Sequence, residues 1–318
     1  MRAVLFTAVL LLHAAAAGAQ RWELQSNFWV NLHQAMLDAA QNGRPIEASL
    51  TDSEKSLWNN AVHTYRVRFY DRSPIFDEEL VRINDALSAA GDLPPEGFSE
   101  EVTRALLSAA FVYRKHRWAL DNRTNLFWIS VAEGMLRDAG EELAQEHARV
   151  YGVPFPARTR VDVSAAAGPL GAYTTTMNGF VHTTISSRDP SYQGYAALEM
   201  LLHESSHAIV GPAAGAIGPD IQSHARARGV LAPRELWHAI LFYTSGELAR
   251  RALRDRGIND YTPYMYRQGM FDRALGAMRQ PLETFWQSCL EGRMDRQAAL
   301  AAIVDATGSQ MPARVPGL

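Results

Sequence analysis

His203-Glu204-Ser205-Ser206-His207 carries residue types and a spacing that can do chemistry. The five residues read H-E-x-x-H inside the helix-forming run Ala196–Val210 (AALEMLLHESSHAIV). On a helix, positions i and i+4 lie one above the other, so both imidazoles project from one face. Two imidazole nitrogens and a third protein ligand make the half-open coordination that a catalytic zinc ion (Zn2+) requires. Glu204, next to the first imidazole, is then placed to take a proton from water as a general base. The alternative is a buried helix whose two histidines are core residues; the motif and its apolar flanks favour zinc.

Helix 234–254 offers two candidates for the third ligand, His238 and Glu247. Nine positions at about 100° per residue put them on opposite faces, so a regular helix cannot aim both at one metal. Glu247 is the only charged residue between Ala239 and Ala249, and a carboxylate in so apolar a stretch is costly without a cation or metal. Ser245 and Gly246 are small enough to admit a close neighbour helix. These features favour Glu247, with His238 next and His224, Asp220 and Glu235 behind. An ion pair of Glu247 with Arg250 or Arg251 is the competing account.

HESSH followed by a helix bearing Glu247 resembles the gluzincin branch of the zincin metallopeptidases, over about residues 174–254. The resemblance implies His203, His207 and Glu247 as zinc ligands and Glu204 as general base. It also implies a strand edge near Phe180–Ile185 that holds the backbone of a peptide or protein substrate. The chain departs from the pattern at Arg251, where many gluzincins carry an Asp, and it lacks the metzincin extension after His207. An oxyanion donor is also needed. His182, His224, His238, Tyr261 and Tyr264 are candidates, and Tyr264, in the segment after the ligand helix, is preferred. A zinc-binding partner-recognition module and a hydrolase of non-peptide amides are the rival functions, since the same donors serve all three.

The elements around this helix are mostly helical. Asn27–Ala40, Ser53–Tyr65, Asp77–Ala90, Ser99–Arg117 and Asn125–Val150 have apolar residues at helical spacing, with a kink near Arg123 or Gly134. Gly91–Gly97 is a turn-rich break, and the tryptophans at 22, 29, 58, 118 and 128 read as core anchors. After Gly152–Pro156 the pattern turns to alternation, and Asn178-Gly179 between β-branched runs predicts a hairpin. The predicted fold class is α+β, mainly helical: a helical N-terminal lobe (20–155) packed on a zincin-like catalytic lobe (156–318) with a small antiparallel sheet.

The 318 residues, 47% of them hydrophobic, suffice for a large core. Met1–Ala19 reads as a secretory signal, with Arg2, an apolar run and a small-residue end before Gln20. The chain is thus expected to be exported, to the periplasm or beyond, with no span left in the mature form. Losing Arg2 takes the formal charge from −3 to −4, which gives no basis for nucleic-acid binding. Cys289 is the only cysteine, so no intrachain disulfide can form.

Overall fold

Polar side chains with oxygen acceptors stand where the periodic segments begin. The computed structural model describes residues 21–310 apart from 47, 92–95, 170 and 178. The signal at Met1–Ala19, most of the break at 91–97 and Asn178 of the hairpin turn lie outside the described residues. Asn27 accepts from the N–H groups of Trp29 and Val30 and opens α1 (Phe28–Asn42). Thr51 and Glu54 form a reciprocal capping box on α2 (Asp52–Phe69), Asp77 caps α3 (Glu78–Ala90), and Ser99 caps α4 (Glu100–Tyr113).

From α4 the helix does not stop. It passes through a π turn at Arg114–Trp118 into α5 (Ala119–Met135), then through a second at Leu136–Gly140 into α6 (Glu141–Tyr151). The two stretches expected at 99–117 and 125–150 are therefore one helical rod, with its irregularities at the π turns and none at Arg123. Gly152, at φ 70°, ends it in the left-handed conformation.

The sheet has the order β1-β2-β4-β3, with β1 Trp22–Gln25, β2 Thr159–Ser164, β3 Ala172–Met177 and β4 Phe180–Ser186. Within it the expected β3–β4 hairpin is antiparallel, whereas β1 with β2 and β2 with β4 run parallel, so the small expected sheet is present but mixed. A separate antiparallel pair joins β5 (Val230–Leu231) to β6 (Ser309–Gln310). Parallel neighbours need long crossovers, and the helical run from α1 to α6 supplies the one between β1 and β2. The short strand β1 gives too little alternation to be read from sequence.

The chain is mainly helical α+β, and its apolar side chains form two cores. One gathers Phe28, Leu32, Leu37, Tyr65, Leu106 and Tyr113 from α1 to α4. The other joins Trp22, Trp128, Leu143 and Tyr151 to the sheet and to the helices that follow it. The helical segment 128–151 thus packs with the second core, not with the N-terminal one. Trp22, Trp29, Trp58 and Trp128 are buried as expected, and Trp118 packs half-buried on the first core.

That second core encloses α7 (Tyr195–Ser206) against α9 (Leu236–Asp255), with α8 (Gly218–Arg228) between them in sequence. Short helices α10 (Tyr264–Arg267), α11 (Gly276–Pro281) and α12 (Gln287–Leu290), then α13 (Arg296–Thr307), complete the fold. Among the described residues no helix is long and apolar enough to cross a membrane.

The helical lobe meets the sheet through polar contacts. On β4, His182 lies fully buried with Nδ1 2.6 Å from Asp85 Oδ1 on α3 and Nε2 2.8 Å from Asp162 Oδ2 on β2. Burial alone pulls this imidazole down, but the two carboxylates outweigh it and raise its pKa from 6.5 to about 9. A raised folded-state pKa gives stability that is complete below about pH 6.5 and is lost as pH rises through about 9. Chemical denaturation between pH 6 and 10 is expected to show a fall on the order of 3 kcal/mol that His182→Gln abolishes.

Candidate metal centre

α7 is buried from Ala196 to Ser206, and most of its polar atoms meet a partner there. Ser205 and Ser206 donate to the carbonyls of Leu201 and Leu202, and Trp22 Nε1 of β1 donates to Ser205 Oγ at 2.9 Å. Regular helix ends at Ser206, with His207 as the capping residue, so both imidazoles sit in the last turn. Gly215, at φ 78°, lets the following loop fold back under Ile209, where a Cβ would strike the Ile209 carbonyl.

Helix α9 crosses this end of α7 and brings in a third imidazole. His238 Nε2 lies 3.4 Å from His203 Nε2, and ligand atoms of His203, His207 and His238 all lie within 4.8 Å of one another. Zinc bound tetrahedrally at 2.0–2.1 Å holds its nitrogens about 3.4 Å apart, and the His203–His238 pair of these donors has that separation. Their electrostatics fit too. Burial lowers the pKa of His207 to about 3 and of His238 to about 4, and His203 falls well below its ordinary value for the same reason. Three neutral imidazoles present lone pairs, the form a metal binds.

Glu247, the third ligand favoured from the sequence, is not in this group. It lies a half-turn around α9, where its carboxylate is buried and paired with Arg250, whose Nε is 3.0 Å away. The premise that a carboxylate here needs a cation holds, but the cation is the guanidinium one turn on. The face of α9 toward α7 carries His238 and Phe242, four residues apart. Trp237 stacks on His238 with ring centres 4.9 Å apart and the planes 14° off parallel.

Glu204 lies 4% exposed at the same end of α7. Its Oε2 accepts from Thr174 Oγ1 at 2.8 Å, and Thr174 Oγ1 is in turn 2.8 Å from Thr183 Oγ1. Burial pushes the Glu204 carboxyl up to about 7, against the pull of the Thr174 hydrogen bond. Thr174 belongs to β3, the outermost strand, whereas β4 lies between β2 and β3. The strand edge expected near Phe180–Ile185 is therefore the edge of β3, and the hairpin order explains the shift.

The candidate oxyanion donors are scattered. Tyr264 is not shown against Glu204: its main-chain N–H donates to Glu199 at 2.9 Å, and its ring stacks on Phe242. Tyr261 donates to the same Glu199 carboxylate, His224 Nε2 lies 2.9 Å from Gln297 Oε1, and His182 is held at the lobe junction. Glu199, fully buried one turn before His203, has its carboxyl raised to about 7 by burial despite these donors. The sequence reading missed Thr174, Glu199 and Phe242, which no spacing rule singles out.

Compared with family models, curated proteins and solved structures, the chain matches none. The donor set gives a direct test. Metal titration of the purified protein is expected to show one zinc per chain. His238→Ala should weaken binding by about 100-fold or more, beyond the 10–100-fold typical of residues that merely support ligands. Glu247→Gln should leave affinity within threefold of wild type, on the order of the scatter between preparations. Weak binding in the Glu247 variant with full binding in the His238 variant would reverse the assignment.

Proposed function

We propose that the chain is a zinc-dependent hydrolase, with a peptide bond as its target, acting outside the cytoplasm. The observation that carries this reading is the convergence of His203, His207 and His238 at the end of a helix whose next side chain is a buried carboxylate, Glu204. Three neutral nitrogen donors leave coordination room on a tetrahedral ion. The gluzincin resemblance is not carried further, because it rested on Glu247. An exported site of action rests on the composition of Met1–Ala19 alone.

When bound, zinc would polarise a carbonyl and lower the pKa of water towards neutrality. The residues supply the rest. Thr174 fixes one oxygen of Glu204, so the carboxylate keeps a single orientation. Burial raises its pKa to about 7 in the metal-free chain and a bound cation would draw it down, which leaves a carboxylate able to take a proton from water and later return it to the leaving amine. Peptide substrates are favoured because the hydrogen bond to Glu204 comes from an outermost strand. An extended chain laid along β3 would pair with main-chain groups on the edge away from β4.

Cleavage of a peptide library, followed with and without a chelator, tests this reading. Glu204→Gln is expected to lower the rate by about 10²–10⁴ while zinc content stays at one per chain. Thr174→Val, which removes one hydrogen bond to the carboxylate, should cost about ten- to hundredfold. Zinc-loaded protein that cleaves no peptide, or a Glu204→Gln variant as active as wild type, would sink the proposal.

A further inference from the structure

Metal-binding histidines are ordinarily held in place by a hydrogen bond from the second ring nitrogen. His203 departs from that pattern. Its Nε2 faces His238, yet its buried Nδ1 has no hydrogen-bond partner among the described residues. What touches the ring instead is Phe242, stacked on it with centres 4.0 Å apart and planes inclined by 27°. Phe242 is backed by Tyr264 at 5.7 Å and 9°, and Tyr264 by Tyr192 at 5.8 Å and 29°.

This column of rings is fastened at one point. Glu199 accepts the main-chain N–H of Tyr264 at both carboxylate oxygens, 3.1 and 2.9 Å, together with the Tyr261 hydroxyl. It reaches that segment past Gly246 of α9. A Cβ at Gly246 would stand 2.7 Å from Pro263 Cβ and 3.0 Å from Glu199 Oε1, so only glycine leaves the passage open. A fully buried carboxylate is costly to keep, and no Arg or Lys is hydrogen-bonded to this one among the described residues.

We infer that Glu199 and Phe242 are positioning residues for the metal centre: the stack anchored by Glu199 orients the His203 imidazole in place of a hydrogen bond to Nδ1. This rests on the reading of His203, His207 and His238 as metal ligands. Among the described residues the hydrogen bonds of Glu199 go to Tyr261 and Tyr264 and none joins it to the metal donors or to Glu204. Glu199 acts through the Tyr264 main chain and two rings, and its removal should be felt in metal geometry before it is felt in stability.

Cobalt(II) titration of the metal-free full chain, read by the visible absorption band, tests the inference. Wild type should take up one equivalent, and His203→Ala should abolish that uptake. Glu199→Gln keeps an acceptor for Tyr264 and a polar contact for Tyr261, and should bind within about threefold of wild type with an unshifted band. Glu199→Leu fills the same space without the anchor. It should bind cobalt about tenfold or more weakly, with a displaced band, while its thermal midpoint stays within a few degrees. Phe242→Leu should behave likewise, and it carries the test alone if Glu199→Leu does not fold. Wild-type affinity and band in the Leu variants would overturn the inference by itself. A wild-type chain that takes up no cobalt would overturn the metal site together with it.

Discussion

The structure depends on burying a polar helix. α7 with its cap His207 carries two carboxylates, two imidazoles and two serines in a segment enclosed almost entirely by protein, and a buried polar group without a partner destabilises by about 1–3 kcal/mol. Each neighbouring element supplies part of the answer. β1 sends Trp22 to Ser205, β3 sends Thr174 to Glu204, α9 sends His238 to His203, and the turn before α10 sends Tyr261 and a main-chain N–H to Glu199. None of these partners is local to α7. The tertiary arrangement of sheet, crossing helix and turn is therefore the arrangement that lets this sequence remain helical in the interior.

The contact between the helical lobe and the sheet uses the same logic. Asn31 donates to the Val163 carbonyl, Asn125 bridges Asn31 and Ser187, Gln34 meets Tyr173, and Asn84 donates to Thr184. With the Asp85–His182–Asp162 group, these bonds make a junction in which register matters more than area. A slip of one residue along β4 would turn His182 to the other face and take from Asp85 and Asp162 the imidazole they share, leaving Asp162 only the neutral donors Gln25 and Ser88.

Much of this was legible before the coordinates. The segments read from the sequence at Asn27, Asp77 and Ser99 open on the residues that cap α1, α3 and α4, whereas α2 starts behind Thr51, ahead of the expected Ser53; the spacing of His203 and His207 places both on one face. Glu247 is not brought to the two imidazoles, for a physical reason. Cost arguments identify a buried charge that needs a partner, but they do not say whether that partner is a metal or an arginine three residues on. Glu247 and Arg250 satisfy each other locally, whereas His238 has meaning only once α9 is laid across α7. The parallel pairing of β1 was hidden likewise, because more than a hundred residues separate Trp22 from its partner Thr159. Thr174 and Phe242 look like any strand threonine and any helix phenylalanine. Their roles come from distance in space, which periodicity does not encode.

The uninterrupted helical rod from Glu100 to Tyr151 starts in the N-terminal core and ends in the other. Its first π turn, Arg114–Trp118, follows Tyr113, the last fully buried residue of one core, ends on Trp118 at the rim of that core, and precedes Trp128, the first helical residue of the other. A continuous hydrogen-bonded rod resists flexing everywhere except where its pitch widens. The second widened turn, Leu136–Gly140, is packed inside the second core, so the stretch of rod between the two cores carries its irregularity at Arg114–Trp118.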